Sequence, residues 1–591
     1  MFRAAIAGAP KDADLLYWGA LAHARAGASH AAHVLLNEAE IEGVARPTLA
    51  ADISSLRGRL LKDEYDRAPG APNAARCLER ARDQYVAAYA VAQDPYPGIN
   101  AASLSLLCGD RDAAGQLARA IVQSLTTRPI ERRDCWDVAT LAEAHLLLGD
   151  IDAAAAAYAR AHKLAEGNAG IVATMRRQLA LLARAMPQAA ALLEQLPAAD
   201  VVAFAGHMID APGRASPRFP PTLVADVEVA LRDAIAPLRE PVIYTSAACG
   251  ADLLLIEAAL ERGAEVNVVL PFDRDDFIRT SVAVGGDHWV RRFDVSLARV
   301  NRVIMATEEG YLGDDVLFAH ASMLVEGLAM LRGSQLEVSP RLLCLVDPAE
   351  AMRVGGARES LERWTRVGGA SDVIDLGALR DRVTSTRDSP SAAVPAVASA
   401  PNSYSPPLAA AKRTPRALKT MLFADFAGYS RLHDAFAPLF QTRFLEIGAA
   451  LIDAAKVKPL EAKTWGDAVY AVFESPRDGA EFALRFLERM LDVDWTAAGL
   501  SSTSQVRIAL HAGPVFRGFD PVMRCDSHFG SSVTRAARIE PVTPPGMVYA
   551  SEAFAATLAA TGQRDFALEY IGKLALAKGY GESRIYRVER H

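Results

Sequence analysis

The sequence predicts a multidomain chain with three fold classes in succession: an α-helical repeat array, an α/β domain with a doubly wound parallel sheet, and an α+β domain. Residues 1–195 show helical apolar spacing with short glycine-containing breaks, and residues 196–380 alternate short apolar strands with helices. Residues 415–591 hold a strand, a helix and a hairpin in that order. Between the second and third domains, residues 381–414 are rich in Pro, Ser and Ala, which predicts a flexible linker. If the chain forms a dimer, regulation through such a linker would act by changing the geometry of the dimer rather than across a rigid interface between domains.

The helical array carries a repeated motif. Leu-Leu-Cys-Gly-Asp-Arg-Asp-Ala-Ala at 106–114 recurs as Leu-Leu-Gly-Asp-Ile-Asp-Ala-Ala at 147–154, with a weaker echo at 24–32. The motif resembles the helix–turn–helix junction of tetratricopeptide repeats, where glycine permits the turn. Residues 96–102 also resemble a segment in the regulatory region of apoptosis signal-regulating kinases. Both resemblances imply a surface for a protein partner, and a purely architectural array remains the alternative.

Six short apolar segments in the second domain predict strands. Ligands of a doubly wound sheet bind beyond the carboxyl ends of the strands, and a helix N-terminus there favours phosphate. The order Gly-His, Gly-Ala-Asp, Leu-Pro-Phe resembles the SLOG superfamily, which implies a nucleotide or nucleotide-derived ligand; a purely structural sheet is the alternative. The predicted strands are 201–205, 241–245, 266–270, 303–306, 342–346 and 373–376. The candidate ligand residues are Gly206, His207, Ser246, Gly250 and Asp252.

Two aspartates stand out in the C-terminal domain. Asp425 follows an apolar run and Asp467 follows the turn former Gly466 within another. A strand–helix–hairpin order can bring both carboxylates to one edge of a sheet. Paired carboxylates beside triphosphate oxygens suit Mg²⁺ or Mn²⁺, so the pattern indicates phosphoryl chemistry.

Five blocks in the last domain occur in the order typical of class III adenylate and guanylate cyclases. They are Phe-Ala-Asp-Phe-Ala-Gly-Tyr at 423–429, Lys-Thr-Trp-Gly-Asp at 463–467, Arg-Ile-Ala-Leu-His-Ala-Gly-Pro at 507–514, Phe-Gly-x-x-Val-x-x-Ala-Ala-Arg at 529–538 and Lys-Gly at 578–579. The domain therefore resembles a class III cyclase catalytic domain, which implies a ferredoxin-like α+β fold and cyclisation of a nucleoside triphosphate.

The resemblance also implies roles for individual residues. Asp425, Asp467 and the backbone carbonyl of Phe426 match the ligands of two Mg²⁺ or Mn²⁺ ions per active site. Arg538 matches the arginine that stabilises the transition state, with pairing to Glu540 as the alternative. Lys463 matches the lysine that reads the base, usually at adenine N1, and Lys578 matches a triphosphate-binding lysine.

Two positions depart from the family pattern. Thr534 stands where the family usually has a ribose-orienting asparagine, and Ser527 stands where adenylate cyclases usually have an aspartate, with Asp526 adjacent. A shift of one residue would restore the carboxylate. ATP is the expected substrate, but GTP or a pyrimidine nucleotide remains open, as does a catalytically weak domain that serves as a nucleotide-binding scaffold.

The whole sequence also bears on oligomeric state, nucleic-acid binding and cellular compartment. In this family the active site forms between two catalytic domains, so one domain per chain predicts a homodimer. A net charge of −7 gives no sign of nucleic-acid binding. Six dispersed cysteines favour a reducing cytoplasm, and no apolar run suggests a signal peptide or a membrane span.

Overall fold

The computed structural model describes residues 9, 11–25, 29–43, 46–67, 69–70, 72–165, 168–214, 216–349, 351–386, 415–427, 429, 437–495 and 505–591. The chain divides into two compact units, Met1–Ala198 and Ala199–His591. The first unit is helical, and the second contains two separate β-sheets. The predicted multidomain order of a helical region followed by mixed α and β structure is confirmed.

The first unit is built from successive helices joined by short turns. At the two repeated motifs, Gly109 and Gly149 adopt φ values of +89° and +80°, a conformation that glycine adopts without strain. Asp110 and Asp150 then cap the following helices by accepting from the backbone N–H groups three residues on, at 2.9 and 3.1 Å. The described helices are α1 (Ala13–Arg25), α2 (Ser29–Gly43), α3 (Pro47–Arg67), α4 (Ala74–Ala92), α5 (Pro95–Leu107), α6 (Arg111–Thr126), α7 (Cys135–Leu147), α8 (Ile151–Leu164), α9 (Ala169–Ala183) and α10 (Pro187–Gln195).

Part of the weaker echo, residues 26–28, lies outside the described residues. Asn100, within the motif at 96–102, is buried on α5 and accepts a hydrogen bond of 3.0 Å from Lys62 Nζ. Lys62 also donates to Gln178 at 2.7 Å, and Gln178 donates to Glu143 at 2.7 Å. A polar network thus links four helices inside this unit.

The second unit begins with a parallel six-stranded sheet, the middle domain, in the order β4-β3-β2-β1-β5-β6. All six predicted strands are present with small shifts at their ends. The strands are β1 (Val201–Gly206), β2 (Val242–Thr245), β3 (Glu265–Leu270), β4 (Arg302–Met305), β5 (Arg341–Val346) and β6 (Ala370–Asp375). The helices are α11 (Val224–Ile235), α12 (Ala251–Glu261), α13 (Arg274–Phe277), α14 (Asp287–Leu297), α15 (Val316–Leu336), α16 (Ala357–Arg366) and α17 (Leu376–Thr386).

The C-terminal domain forms a mixed sheet in the order β13-β14-β12-β10-β7-β9-β8, with β11 paired to β10. The predicted helix after β7 is present from residue 437, with a π-helical turn at Gln441–Leu445. The strands are β7 (Arg416–Phe426), β8 (Glu461–Trp465), β9 (Ala468–Phe473), β10 (Val506–Asp520), β11 (Cys525–Phe529), β12 (Met547–Ser551), β13 (Phe566–Ala575) and β14 (Glu582–Arg590). The helices are α18 (Ala437–Phe440), α19 (Glu446–Ala454), α20 (Pro476–Leu491), α21 (Ser531–Ile539) and α22 (Glu552–Ala560).

The middle and C-terminal domains pack directly against each other. Helix α15 lies on α22, and a Cβ atom built on Gly327 would come within 1.8 Å of the Ala556 carbonyl oxygen. Arg302 Nη1 donates to Glu552 Oε1 at 2.7 Å across the same interface. The sequence-based expectation that the linker joins these domains without a continuous interface is therefore wrong, whereas regulation through dimer geometry stays a prediction. Helix α17 also continues through residue 386, past the predicted start of the linker, and residues 387–414 of that linker lie outside the described residues.

Helix α15 is long and apolar enough to cross a membrane by length and composition, although the sequence had suggested no such run. Its burial explains the composition, because 67% of its apolar window is enclosed by the protein. The helix packs against the strands of the middle domain on one side and α22 on the other. A helix that is apolar all round is expected in such a position.

Candidate functional site

The two aspartates converge at the edge of the C-terminal sheet. Asp425 is the penultimate residue of β7 and pairs in register with Ala468, the residue after Asp467. Gly466, at φ +65°, forms the tight turn between β8 and β9 that carries Asp467. Burial raises the pKa of Asp425, and the charge of Asp467 raises it further against the opposing effect of Arg507.

Two residues that sequence reasoning missed complete this cluster. Arg507, on β10, donates to Asp425 Oδ2 from Nε at 3.0 Å and from Nη2 at 2.6 Å. Arg507 also pairs with Glu540, just beyond α21. Burial, together with the charge of Asp425, raises the pKa of Glu540 to about 8. Arg507 does belong to one of the five sequence blocks, so its position in the motif was the available signal.

The cluster brings carboxylate oxygens together. Its oxygen donors are hard ligands of the kind that Mg²⁺ and Mn²⁺ prefer, and it is mainly burial that raises the pKa of Asp425 and of Glu540. Within the described residues, no group of three or more His, Cys, Asp or Glu side chains forms a closed metal site.

Helix α21 carries Thr534 and Arg538, which are four residues apart and so share one face. Thr534 is exposed and Arg538 is half-buried. Glu540 pairs with Arg507, and among the described ion pairs it makes none with Arg538, so the alternative Arg538–Glu540 pair is not observed. Gly530 is the N-cap of this helix, and the Ser531 N–H donates to Glu309 of the middle domain at 3.2 Å.

The expected base-reading residues also meet. Lys463, on β8, donates from Nζ to Ser527 Oγ on β11 at 2.9 Å. The neighbouring Asp526 points to the other face of β11, where it accepts from Arg517 at 2.7 Å. The one-residue shift that would have brought Asp526 to Lys463 is therefore not present. A different carboxylate takes its place, because Glu461 Oε1 lies 2.7 Å from Lys463 Nζ and accepts from Ser527 Oγ at 2.9 Å.

Two further candidate residues of this domain are Lys578 and Phe426. Lys578 is exposed in the turn Ala577–Gly579, which packs near α21. The Phe426 side chain is buried among aromatic rings, including that of Trp495 at 4.8 Å between centroids. Its backbone carbonyl stays a predicted ligand.

In the middle domain, four of the five candidate residues line one cavity of about 320 Å³: Gly206, His207, Ser246 and Asp252. Gly250 stands beside them at φ +109°, and a Cβ there would lie 2.5 Å from the Ile209 backbone nitrogen. His207 Nε2 accepts from the Asp347 N–H at 3.1 Å, a bond that requires an unprotonated nitrogen.

Asp252 places a buried carboxyl group at this cavity. Its Oδ2 accepts from the Ala248 N–H at 3.1 Å, and burial raises its pKa to about 7. The carboxyl group therefore occupies the first turn of α12, where the sequence had predicted room for a phosphate. The same cavity is also lined by Arg218 and Arg353, so acidic and basic side chains both border it.

Comparisons with known proteins agree with these features. Residues 413–590 match the family described as Adenylate and Guanylate cyclase catalytic domain, and residues 1–105 match the family described as Tetratricopeptide Repeats-Sensor. A search of curated proteins found no match.

Three similar solved structures, all cyclase domains, each align with less than a third of this chain. The guanylate cyclase domain of RhGC from Catenaria anguillulae in complex with GTP is 22% identical, covering 29% of this chain and 97% of its own, with a TM-score of 0.25. The adenylyl cyclase CyaB from P. aeruginosa is 18% identical over 30% of this chain and 95% of its own, with a TM-score of 0.26. An adenylate cyclase from Trypanosoma brucei is 20% identical over 29% and 88%, with a TM-score of 0.26.

Proposed function

We propose that this chain, whose residues 413–590 form an adenylate and guanylate cyclase catalytic domain, converts ATP to 3′,5′-cyclic AMP and pyrophosphate. The observation that carries the proposal is the convergence of Asp425 and Asp467 on one sheet edge. In the reaction the ribose 3′-oxygen bonds to the α-phosphorus while the bond from that phosphorus to the bridging oxygen breaks. The proton of the 3′-hydroxyl passes to solvent water, and pyrophosphate leaves with the electron pair of the broken bond.

The chain's own groups supply distinct contributions. Asp425 and Asp467 would hold two Mg²⁺ or Mn²⁺ ions per site. When bound, these ions would neutralise negative charge on the triphosphate. Arg538 would donate to oxygens of the α-phosphate as charge builds up on them. Thr534, on the same face of α21, would orient the ribose through its hydroxyl, and Lys578 would bind the triphosphate.

We propose a homodimer in which Asp425 and Asp467 of one subunit meet Lys463 and Arg538 of the other. The hairpin of β10 and β11 supports this arrangement, because it exposes a group of large apolar side chains. Such groups commonly mark protein interfaces. Its members are Phe519, Val522, Met523 and Phe529.

Product analysis tests the reaction. The purified chain is incubated with ATP, GTP, CTP or UTP and Mg²⁺ or Mn²⁺, and the products are identified by mass spectrometry. We expect cyclic AMP from ATP, loss of product in Asp467→Ala, and unchanged product in Asp565→Asn, an exposed aspartate paired with Arg477. Absence of every cyclic nucleotide from the unsubstituted chain would refute the proposal.

Complementation tests the shared site. Asp467→Ala and Arg538→Ala chains should each lose most of their activity alone, and mixing them should restore activity, because a heterodimer contains one site with all its residues. If a mixture whose exchange is verified by native mass spectrometry stays inactive, the shared site is wrong.

The remaining parts of the proposal concern regulation. The helical array would bind a protein partner, and the middle domain, as a doubly wound SLOG-like fold, would bind a nucleotide-derived ligand. The direct packing of α15 on α22 supports transmission from the middle domain to the catalytic domain. A cytoplasmic signalling role fits the six cysteines, none of which forms a disulfide. A thermal-shift panel of nucleosides and nucleotides tests the ligand.

A further inference from the structure

Glu461 is the most heavily bonded carboxylate around the expected base-reading residues. Its Oε1 receives Lys463 Nζ at 2.7 Å and Ser527 Oγ at 2.9 Å. Its Oε2 receives the His528 backbone N–H at 2.7 Å and lies 2.9 Å from His528 Nδ1. The Glu461 side chain is only 6% exposed. All its acceptor positions are thus used within the protein, so Glu461 acts on a ligand through its neighbours.

The bonds to Glu461 determine what Ser527 and Lys463 can offer. Although burial opposes its charge, the hydrogen bonds from His528, Lys463 and Ser527 lower the pKa of Glu461 to about 2. An ionised carboxylate only accepts, so the Ser527 hydroxyl must donate to it. Ser527 Oγ also accepts from Lys463 Nζ at 2.9 Å. One lone pair on Ser527 Oγ and one N–H of the Lys463 ammonium group therefore remain available to a ligand.

We propose that Glu461 is a positioning residue that sets the base preference of the cyclase. By consuming the Ser527 proton, it makes Ser527 an acceptor beside the Lys463 donor. With Lys463 at the ring nitrogen, this pair fits a base with an unprotonated ring nitrogen next to an amino group, which is adenine or cytosine. Guanine and uracil present N–H and oxo groups in the reverse order and leave both protein groups unmatched. This inference rests on the proposed function, which places Lys463 at the base.

The sequence pattern of the strands explains why Glu461 takes this role. Successive residues of a strand face opposite sides, so Ser527 faces Lys463 while Asp526 faces Arg517 on the exposed side. Glu461 and Lys463 are two residues apart on β8 and share a face. The carboxylate absent from position 527 is therefore supplied by the neighbouring strand.

A substitution that preserves shape tests the inference. In Glu461→Gln the amide oxygen is needed by the His528 N–H, which turns the NH₂ group toward Ser527. Ser527 then accepts from the amide and can donate to an oxo group. We expect the ratio of kcat/KM for ATP to that for GTP to fall by about 10-fold or more. Glu481→Gln is the matched control and should keep the ATP:GTP ratio. It makes the same change in a carboxylate that accepts from Arg485 and Arg590 instead of from the base-reading residues.

A second variant separates positioning from a general structural effect. Ser527→Ala removes only a hydroxyl group, and in that background Glu461→Gln should change the ATP:GTP ratio far less, because the part of its effect that passes through the Ser527 hydroxyl is lost. An unchanged ratio in Glu461→Gln, or a full effect of Glu461→Gln in the Ser527→Ala background, would overturn the inference. So would preference of the unsubstituted chain for GTP or UTP.

Failure of the proposed function gives a different result. A chain that makes no cyclic nucleotide at all refutes the cyclase reaction, while calorimetric titration with ATP and GTP still decides the inference. Tighter binding of ATP that Glu461→Gln removes would support the role of Glu461. Equal binding of both nucleotides to the unsubstituted chain would contradict it.

Discussion

Arg416 at the start of β7 forms a paired hydrogen bond with Asp314 of the middle domain, with Nε to Oδ2 at 2.6 Å and Nη2 to Oδ1 at 2.8 Å. Its Nη1 also donates to Glu309 at 2.9 Å. The Arg416 side chain is only 1% exposed. Glu309 in turn accepts from the Ser531 N–H at the start of α21. One buried arginine thus joins the middle domain to the strand of Asp425 and the helix of Arg538.

Arg416→Leu should destabilise the second unit by about 3–5 kcal/mol, because Asp314 and Glu309 would keep their charges without the guanidinium. Thermal denaturation of the full chain, with hydrogen exchange to locate the loss in β7 and α21, measures the effect. Arg477→Leu, which breaks an exposed pair with Asp565, is the control and should have little effect. Equal melting of the two variants would contradict the role of Arg416.

The packing of α15 on α22 makes a prediction at Gly327. Gly327→Ala should separate the helices, because the added Cβ would overlap the Ala556 carbonyl, which is rigid backbone. We expect a lower melting temperature and faster hydrogen exchange in α22. Gly448→Ala provides the comparison, since a Cβ there would lie 3.5 Å from the Phe486 ring and the glycine is within a helix. That variant should be neutral or stabilising.

The sequence predicted what local patterns determine. The strands of the middle domain follow from short apolar runs, and the meeting of Asp425 and Asp467 follows from a strand–helix–hairpin order. Glu461 could not be found in this way, because its partner Ser527 lies 66 residues away and only the sheet brings them together. The interface of α15 and α22 was missed for a similar reason, since the linker composition indicates only what joins two domains covalently.

Arg538→Ala should reduce kcat by roughly 10²–10³, as expected when a donor to transition-state charge is removed. Arg538→Lys should restore only part of the activity, because a lysine cannot make the paired contact of a guanidinium. Steady-state kinetics with ATP measure both. Arg489→Ala, an exposed arginine at the end of α20, should retain activity. Full activity of Arg538→Ala would remove this residue from the proposed site.

His320 on α15 makes the stability of the folded chain depend on pH. The residue is buried, and among the described residues neither ring nitrogen finds a hydrogen-bond partner. Burial lowers its pKa from 6.5 to about 4. Between these values the unfolded chain binds a proton that the folded chain does not, so stability is lost as the pH falls from about 6.5 to about 4. The loss amounts to about 3 kcal/mol for a shift of this size.

His320→Leu should remove this contribution, because leucine does not titrate and suits an apolar site. Denaturation followed between pH 4 and pH 7 should therefore show a flatter pH dependence for the variant than for the unsubstituted chain. His511, which is also buried and whose pKa is held low by burial, still titrates in both proteins. The exposed His288 supplies the control, and His288→Asn should leave the pH dependence unchanged. A pH dependence that His320→Leu leaves intact would show that proton binding at His320 does not control the stability of the folded chain.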